Sequence, residues 1–223
     1  MAGLRTHNRS RPMDRIPRPA VAARLARALD DGHLLLVAGA GFGKTTALEE
    51  ALSLRGGAAA WVRCSELDRD PGRLLADLVH ALAGAAPGAA DALGERLAGA
   101  PLQIDPAVAS RELARELERL LVDSLTIVID DAEQLADAPE ASGVVRDLLT
   151  SATPALRVAV AARVALPLRL SKLQAAGRAA QFGPADLAFS PEECAEVLQA
   201  ANGREADAAE LEARLAERVP TAA

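Results

Sequence analysis

Apolar residues along this chain fall into two alternating rhythms. Val21, Leu25 and Leu29 recur at helical spacing and predict a helix over residues 20–30. "HLLLVAG" then runs apolar without alternation, which suits a strand at 34–38 buried on both faces. The stretch from Thr45 to Leu54 reads as helix and "AAAWVRC" (58–64) as a second strand. Asp70-Pro71 places an N-cap before a proline at N1, and Leu74, Leu75, Leu78, Val79 and Leu82 make the apolar face of the helix that follows. The same opening recurs at Asp105-Pro106. Its helix carries Leu113, Leu117, Leu120 and Leu121 on one side and a solvated Arg/Glu face over 111–119 on the other. "LTIVIDD" (125–131) is the clearest strand signal, followed by a helix over about 140–150, the strand "LRVAVAA" (156–162) and a short strand in "AAQFG" (179–183). Ser190-Pro191-Glu192-Glu193 reads as a capping box that opens a helix to about residue 201, and a further helix is expected over 206–218. "GAAPGAADALGERLAGAP", between the third and fourth helices, predicts a loop and a short helix.

Strands that alternate with helices predict an α/β fold, a mostly parallel sheet covered on both faces. Three regions are expected: an irregular lead-in over 1–19 with Pro12, Pro17 and Pro19, one α/β domain over 20–185, and a helical segment over 186–223 that reads as the beginning of a truncated lid domain. No internal repeat is evident.

Composition narrows the function classes. Half of the 223 residues are apolar but only 2% are aromatic, so Ala, Leu and Val must fill the core. A formal net charge of −6 argues against wholesale electrostatic capture of nucleic acid. The locally basic "LRTHNRSRPMDRIPRP" reads as a solvated tail. Cys64 and Cys194 lie far apart without metal-site spacing, which fits reduced thiols and a cytoplasmic location. No apolar run reaches the roughly 20 residues that span a bilayer, and no signal-peptide core precedes the first helix.

The chain writes nearly all its cations as arginine; its lysines are Lys44 and Lys172. Lys44 falls in "VAGAGFGKTT", where a buried strand runs through Gly39-Ala40-Gly41-Phe42-Gly43 into the start of a helix. Such a turn aims backbone N–H groups and a helix N-terminus at one point, where phosphate binds. Gly39, Ala40, Gly41, Phe42, Gly43, Lys44, Thr45 and Thr46 are therefore the candidate cofactor-binding residues. Lys44 is expected to reach the β- and γ-phosphates, since a compact ammonium on a flexible stem fits between two phosphates better than a planar fork. Thr45 is expected to place its hydroxyl on Mg²⁺. The pattern is G-x-x-x-x-G-K-[ST] with Ala38 in the first glycine's place.

A phosphate loop needs an acid at a neighbouring strand end. "TIVIDD" supplies Asp130 as the metal-side carboxylate and Asp131 as the candidate that polarises the attacking water, with Glu133 as a rival. Arg163 ends the strand of 156–162 and should emerge on the same carboxyl edge, where open α/β sheets bind ligands. There it either senses the γ-phosphate or simply meets solvent. Trp61 reads as core rather than a ligand platform. The candidate catalytic set is thus Lys44, Asp131 and Arg163, and the metal set Thr45 and Asp130.

Together these residues resemble the ATP-binding domain of large LuxR-family regulators of the MalT type, members of the STAND class of P-loop signal-transduction ATPases. The likeness runs through "IPRPAVAARLARALDDGHLLLVAGAGFGKTTALEEAL", "AAWVRCSELDRDPGRLLADLVHAL" and "TIVIDDAEQL" to the segments Pro167–Leu173 and Asp186–Glu193, roughly residues 15–200. The family often has an aromatic-His pair after the two acids, where this chain has Ala132-Glu133. The resemblance implies a P-loop NTPase three-layer α/β sandwich that binds ATP and Mg²⁺, with adenine contacts near Ile16 to Arg18. It also implies slow hydrolysis, nucleotide-dependent self-association, and DNA contact only through domains absent from this chain.

A regulatory nucleotide switch is thus the leading expectation. A P-loop phosphotransfer enzyme is the first alternative, although residues 84–105 carry only Arg96 where such an enzyme has an arginine-bearing lid. A nucleotide-inert, truncated interaction module is the second.

Overall fold

The computed structural model describes residues 17–86, 91, 94, 105–121, 124–151, 155–190 and 193–194. The expected lead-in before residue 17, most of the loop over 84–101, and the helical course expected beyond residue 194 lie outside them.

Five strands form one parallel sheet: β1 (His33–Val37), β2 (Ala58–Arg63), β3 (Leu125–Asp130), β4 (Leu156–Ala162) and β5 (Ala179–Phe182), in the order β2-β3-β4-β1-β5. The helices are α1 (Pro19–Asp31), α2 (Lys44–Arg55), α3 (Pro71–Ala85), α4 (Pro106–Leu120), α5 (Pro139–Ser151) and the short α6 (Ser171–Ala175). Single 3-10 turns sit at Glu66–Arg69, Ala132–Leu135 and Ala185–Leu187.

Side chains of successive strand residues point to opposite faces, and here both faces are covered. Leu34 and Leu36 of β1 join Val128 of β3, Ala159 and Ala161 of β4, and Val21, Leu25, Leu29 and Leu48 from α1 and α2. Leu35, Ile127, Ile129, Val158 and Val160 face the other way, onto Leu74 and Leu78 of α3, Leu113 and Leu117 of α4, and Val145 and Leu148 of α5. The sheet therefore lies between two helical layers, which explains why its strands read as unbroken apolar runs. Trp61 packs partly buried against the α1/α2 face, as a core residue does.

The expected caps form. Asp70 accepts from Arg73 N at 2.8 Å and Asp105 from Ala107 N at 2.8 Å. Ser190 Oγ accepts from Glu193 N at 3.1 Å while Glu193 returns a carboxylate to Ser190 N at 2.8 Å, closing the capping box. β1 ends one residue early, at Val37, yet Ala38 N still reaches Ala162 O at 3.2 Å. The α6 turn and the 3-10 turns had no periodic signal, being too short for one. α1 ends at Gly32, where any Cβ would overlap the Arg178 carbonyl at the start of β5.

Candidate functional site

The carboxyl ends of parallel strands meet at one edge of the sheet, and the candidate residues gather there. β1 leads into the loop 38–43, β2 ends at Arg63, β3 at Asp130 and β4 at Ala162 with Arg163 next. The strand order places β4 between β1 and β3.

The loop turns on Gly41 and Gly43, both left-handed at φ 74°. L side chains disfavour that region, so glycine is what allows the chain to double back here and still start α2 at Lys44. Gly43 is the N-cap of α2 and offers no side-chain acceptor. The first N–H groups of α2, from Lys44 to Thr46, lie beyond the reach of intrahelical carbonyls. They form a natural anion seat at the positive end of the helix.

Lys44 is only 9% exposed, and its Nζ donates to Ala38 O at 2.6 Å and Gly39 O at 2.9 Å. Burial pushes its pKa down, opposed chiefly by the negative charge of Glu133 and then of Asp130. The ammonium is therefore held at the mouth of the loop among the site's carboxylates.

Thr45 Oγ1 donates to Asp130 Oδ2 at 2.8 Å. The other Asp130 oxygen accepts from Asp131 N at 2.9 Å, and Asp130 is almost wholly buried. The residue lies opposite Arg63 in the β2/β3 ladder, and Arg63 Nη2 stands 3.6 Å from Asp130 Oδ2. Arg63 Nε also lies 3.4 Å from Asp131 Oδ2. Asp131 leaves the strand at φ 52°, a left-handed conformation uncommon for a residue with a Cβ. Burial, and next the charge of Asp130, raise its pKa. Among the described residues no cluster of three or more His, Cys, Asp or Glu side chains could hold a metal ion. The hydroxyl and carboxylate oxygens of Thr45 and Asp130 nevertheless fit Mg²⁺, which takes few protein ligands and completes its shell with water and phosphate oxygens.

Arg163 does emerge on this edge and is 57% exposed. It is not simply a strand end at solvent, because its Nε lies 2.9 Å from Glu133 Oε1 and its backbone N donates to Glu133 Oε2 at 3.1 Å. Glu133, weighed only as a rival for the water, thus acts on Arg163. Arg63 was missed altogether, although a strand of the same sheet ending in Arg was the available signal.

Arg18 lies apart from this cluster. Its guanidinium donates to Leu187 O and Ala188 O at 2.7 Å each and to both Glu193 carboxylate oxygens at 3.2 Å, and it stacks 4.5 Å from the centre of the Phe189 ring. Its backbone N donates to Glu50 Oε2 on α2 at 3.0 Å. The side chain is committed to clasping Leu187, Ala188, Phe189 and Glu193. Cys64 and Cys194 are free thiols, and Cys64 N donates to Asp130 O at 2.8 Å, extending the ladder past β2. No described helix is long and apolar enough to cross a membrane.

No family model and no curated protein matches this chain. Solved structures share its architecture. The Orc1 protein of Aeropyrum pernix, solved in complex with DNA, is similar with a TM-score of 0.52 and 18% identity over 92% of this chain and 56% of that one. A Walker-type ATPase of Pyrococcus abyssi is similar with a TM-score of 0.55 and 15% identity over 95% of this chain and 65% of that one. The chain spans less than two thirds of either protein's length. At these identities the likeness establishes the fold: this is the P-loop NTPase α/β fold, with a five-stranded parallel sheet.

Proposed function

We propose that this chain is the ATP- and Mg²⁺-binding switch domain of a STAND-class signal-transduction ATPase that regulates transcription, with slow hydrolysis as its reset. The observation that carries the nucleotide reading is the hydrogen bond from Thr45 to Asp130 beside the buried Lys44. A structural glycine turn would need neither a buried ammonium nor a hydroxyl aimed at a buried carboxylate. The resemblance of the sequence to MalT-type regulators carries the finer reading of a switch.

This reading divides the labour among the residues of the site. Residues 39–46 and the α2 N-terminus hold the phosphates, and Lys44 exchanges its loop carbonyls for phosphate oxygens. Thr45 and Asp130 would hold Mg²⁺, which supplies further neutralisation of phosphate charge when bound. Asp131 accepts the proton of the attacking water; its raised pKa makes it a better base than an ordinary exposed carboxylate. Arg163, at the end of β4, is the cation that would meet a terminal phosphate. Arg18 serves the adenine side indirectly, by holding Leu187, Ala188 and Glu193 against the start of α1. With a net charge of −6, DNA contact is assigned to other domains and nucleotide-dependent assembly to this one.

Release of phosphate from Mg-ATP tests this reading. Wild type should turn over slowly, and Asp131→Asn should retain nucleotide but lose hydrolysis. Transfer of the phosphoryl group to a metabolite in place of water would overturn the switch in favour of an enzyme.

A further inference from the structure

We infer that Glu133 is a positioning residue that sets the preference for nucleoside triphosphate over diphosphate by holding Arg163 away from the terminal phosphate. The inference rests on the proposed nucleotide site and goes one step further into it.

One carboxylate takes both the backbone N–H and the side-chain Nε of Arg163. Its two ends of the contact differ in freedom. The Glu133 side chain is 15% exposed and sits on the turn Ala132–Leu135, whose backbone is pinned on several sides. Gln134 N donates to Asp131 O, Ser142 Oγ to Leu135 O at 2.6 Å, and Arg69 Nε to Gln134 O at 3.1 Å. The Arg163 side chain, by contrast, is 57% exposed and follows directly on β4. The carboxylate is the fixed partner and the guanidinium the movable one.

The pair lies beside the phosphate seat, because Arg163 follows Ala162, whose carbonyl accepts from Ala38 N at 3.2 Å, and the Ala38 carbonyl in turn accepts from Lys44 Nζ at 2.6 Å. The Glu133 charge acts on Lys44 accordingly. A terminal phosphate bound at Lys44 competes with Glu133 for the Arg163 guanidinium, and its greater charge makes it the stronger acceptor. A diphosphate offers no such competitor and leaves the pair closed. Breaking the pair is then a cost of triphosphate binding alone.

The test is the ratio of dissociation constants for Mg-ADP and a non-hydrolysable Mg-ATP analogue, by calorimetry, for wild type, Glu133→Gln, Arg163→Ala and the double variant. Glutamine keeps the shape and one acceptor but removes the charge. Glu133→Gln should raise the preference for the triphosphate by about fivefold, and Arg163→Ala should lower it. In the Arg163→Ala background, Glu133→Gln should leave the ratio unchanged. An equal rise with and without Arg163 would overturn the inference, because the acid would then act only through general repulsion of phosphate. An unchanged ratio in the single Glu133→Gln variant would overturn it as well. Failure of wild type to bind either nucleotide would overturn the site reading and this inference together.

Discussion

Thr45 and Asp130, 85 residues apart in sequence, meet at 2.8 Å across the width of β4. The contact joins the first turn of α2 to the end of β3, and it can form only if the β1 loop and β3 finish at the same edge of the sheet. Removing it separates two effects. Thr45→Ala should reduce the affinity for Mg-ATP by roughly tenfold to a hundredfold while changing affinity in chelator little, and Thr45→Ser should behave as wild type. Nucleotide titrations with and without Mg²⁺ measure both.

Much of this edge was legible beforehand. "VAGAGFGKTT" and "TIVIDD" carry strong local signals, because a buried strand followed by a glycine turn or by paired acids leaves few alternatives. Asp70 and Asp105 declared their caps through the proline that follows each. The Glu133–Arg163 pair was not legible, since a lone acid on a short turn has many possible partners until β3 and β4 are known to be neighbours. The Arg18 clasp was hidden for a related reason: its side-chain partners are 169 to 175 residues away and two are backbone carbonyls, which sequence does not advertise.

Buried His33 is a second feature that periodicity alone did not reveal. Its Nδ1 accepts from Val158 N at 3.1 Å, and burial, with help from Arg157 and Arg178, pushes its pKa from 6.5 to about 4. The unfolded chain therefore takes up the proton first. The stabilising contribution is complete above pH 6.5 and is lost as pH falls through about 4. Over that window wild type should lose about 3 kcal/mol that His33→Gln does not lose. Denaturant melts of both proteins at pH 7 and pH 4 provide the comparison.

Two glycines should respond differently to the same added methyl. Gly43→Ala meets nothing within 4 Å, so its cost is the left-handed backbone alone, about 1 kcal/mol. Gly32→Ala drives a Cβ into the Arg178 carbonyl, which is fixed by its bond to His33 N at 2.9 Å, and should cost more, roughly 1–3 kcal/mol or above. Equilibrium unfolding ranks the two directly.

Arg18→Ala should destabilise the fold by roughly 1–3 kcal/mol, because it leaves two carbonyls without the guanidinium and the Glu193 carboxylate with only its bond from Ser190 N. Arg18→Lys should not restore the loss, since an ammonium cannot span the same fork of acceptors. Thermal melts of the two variants decide this, and equal stability of Arg18→Lys and wild type would show the planar fork to be dispensable.

The central claim is a working phosphate seat at Lys44, and the most direct measurement is the melting temperature with and without Mg-ATP and Mg-ADP for wild type and Lys44→Ala. Nucleotide at about 100 times its dissociation constant should stabilise wild type by roughly 2.7 kcal/mol and leave Lys44→Ala unmoved. An unchanged wild-type melting temperature, or an equal rise in both proteins, would contradict it.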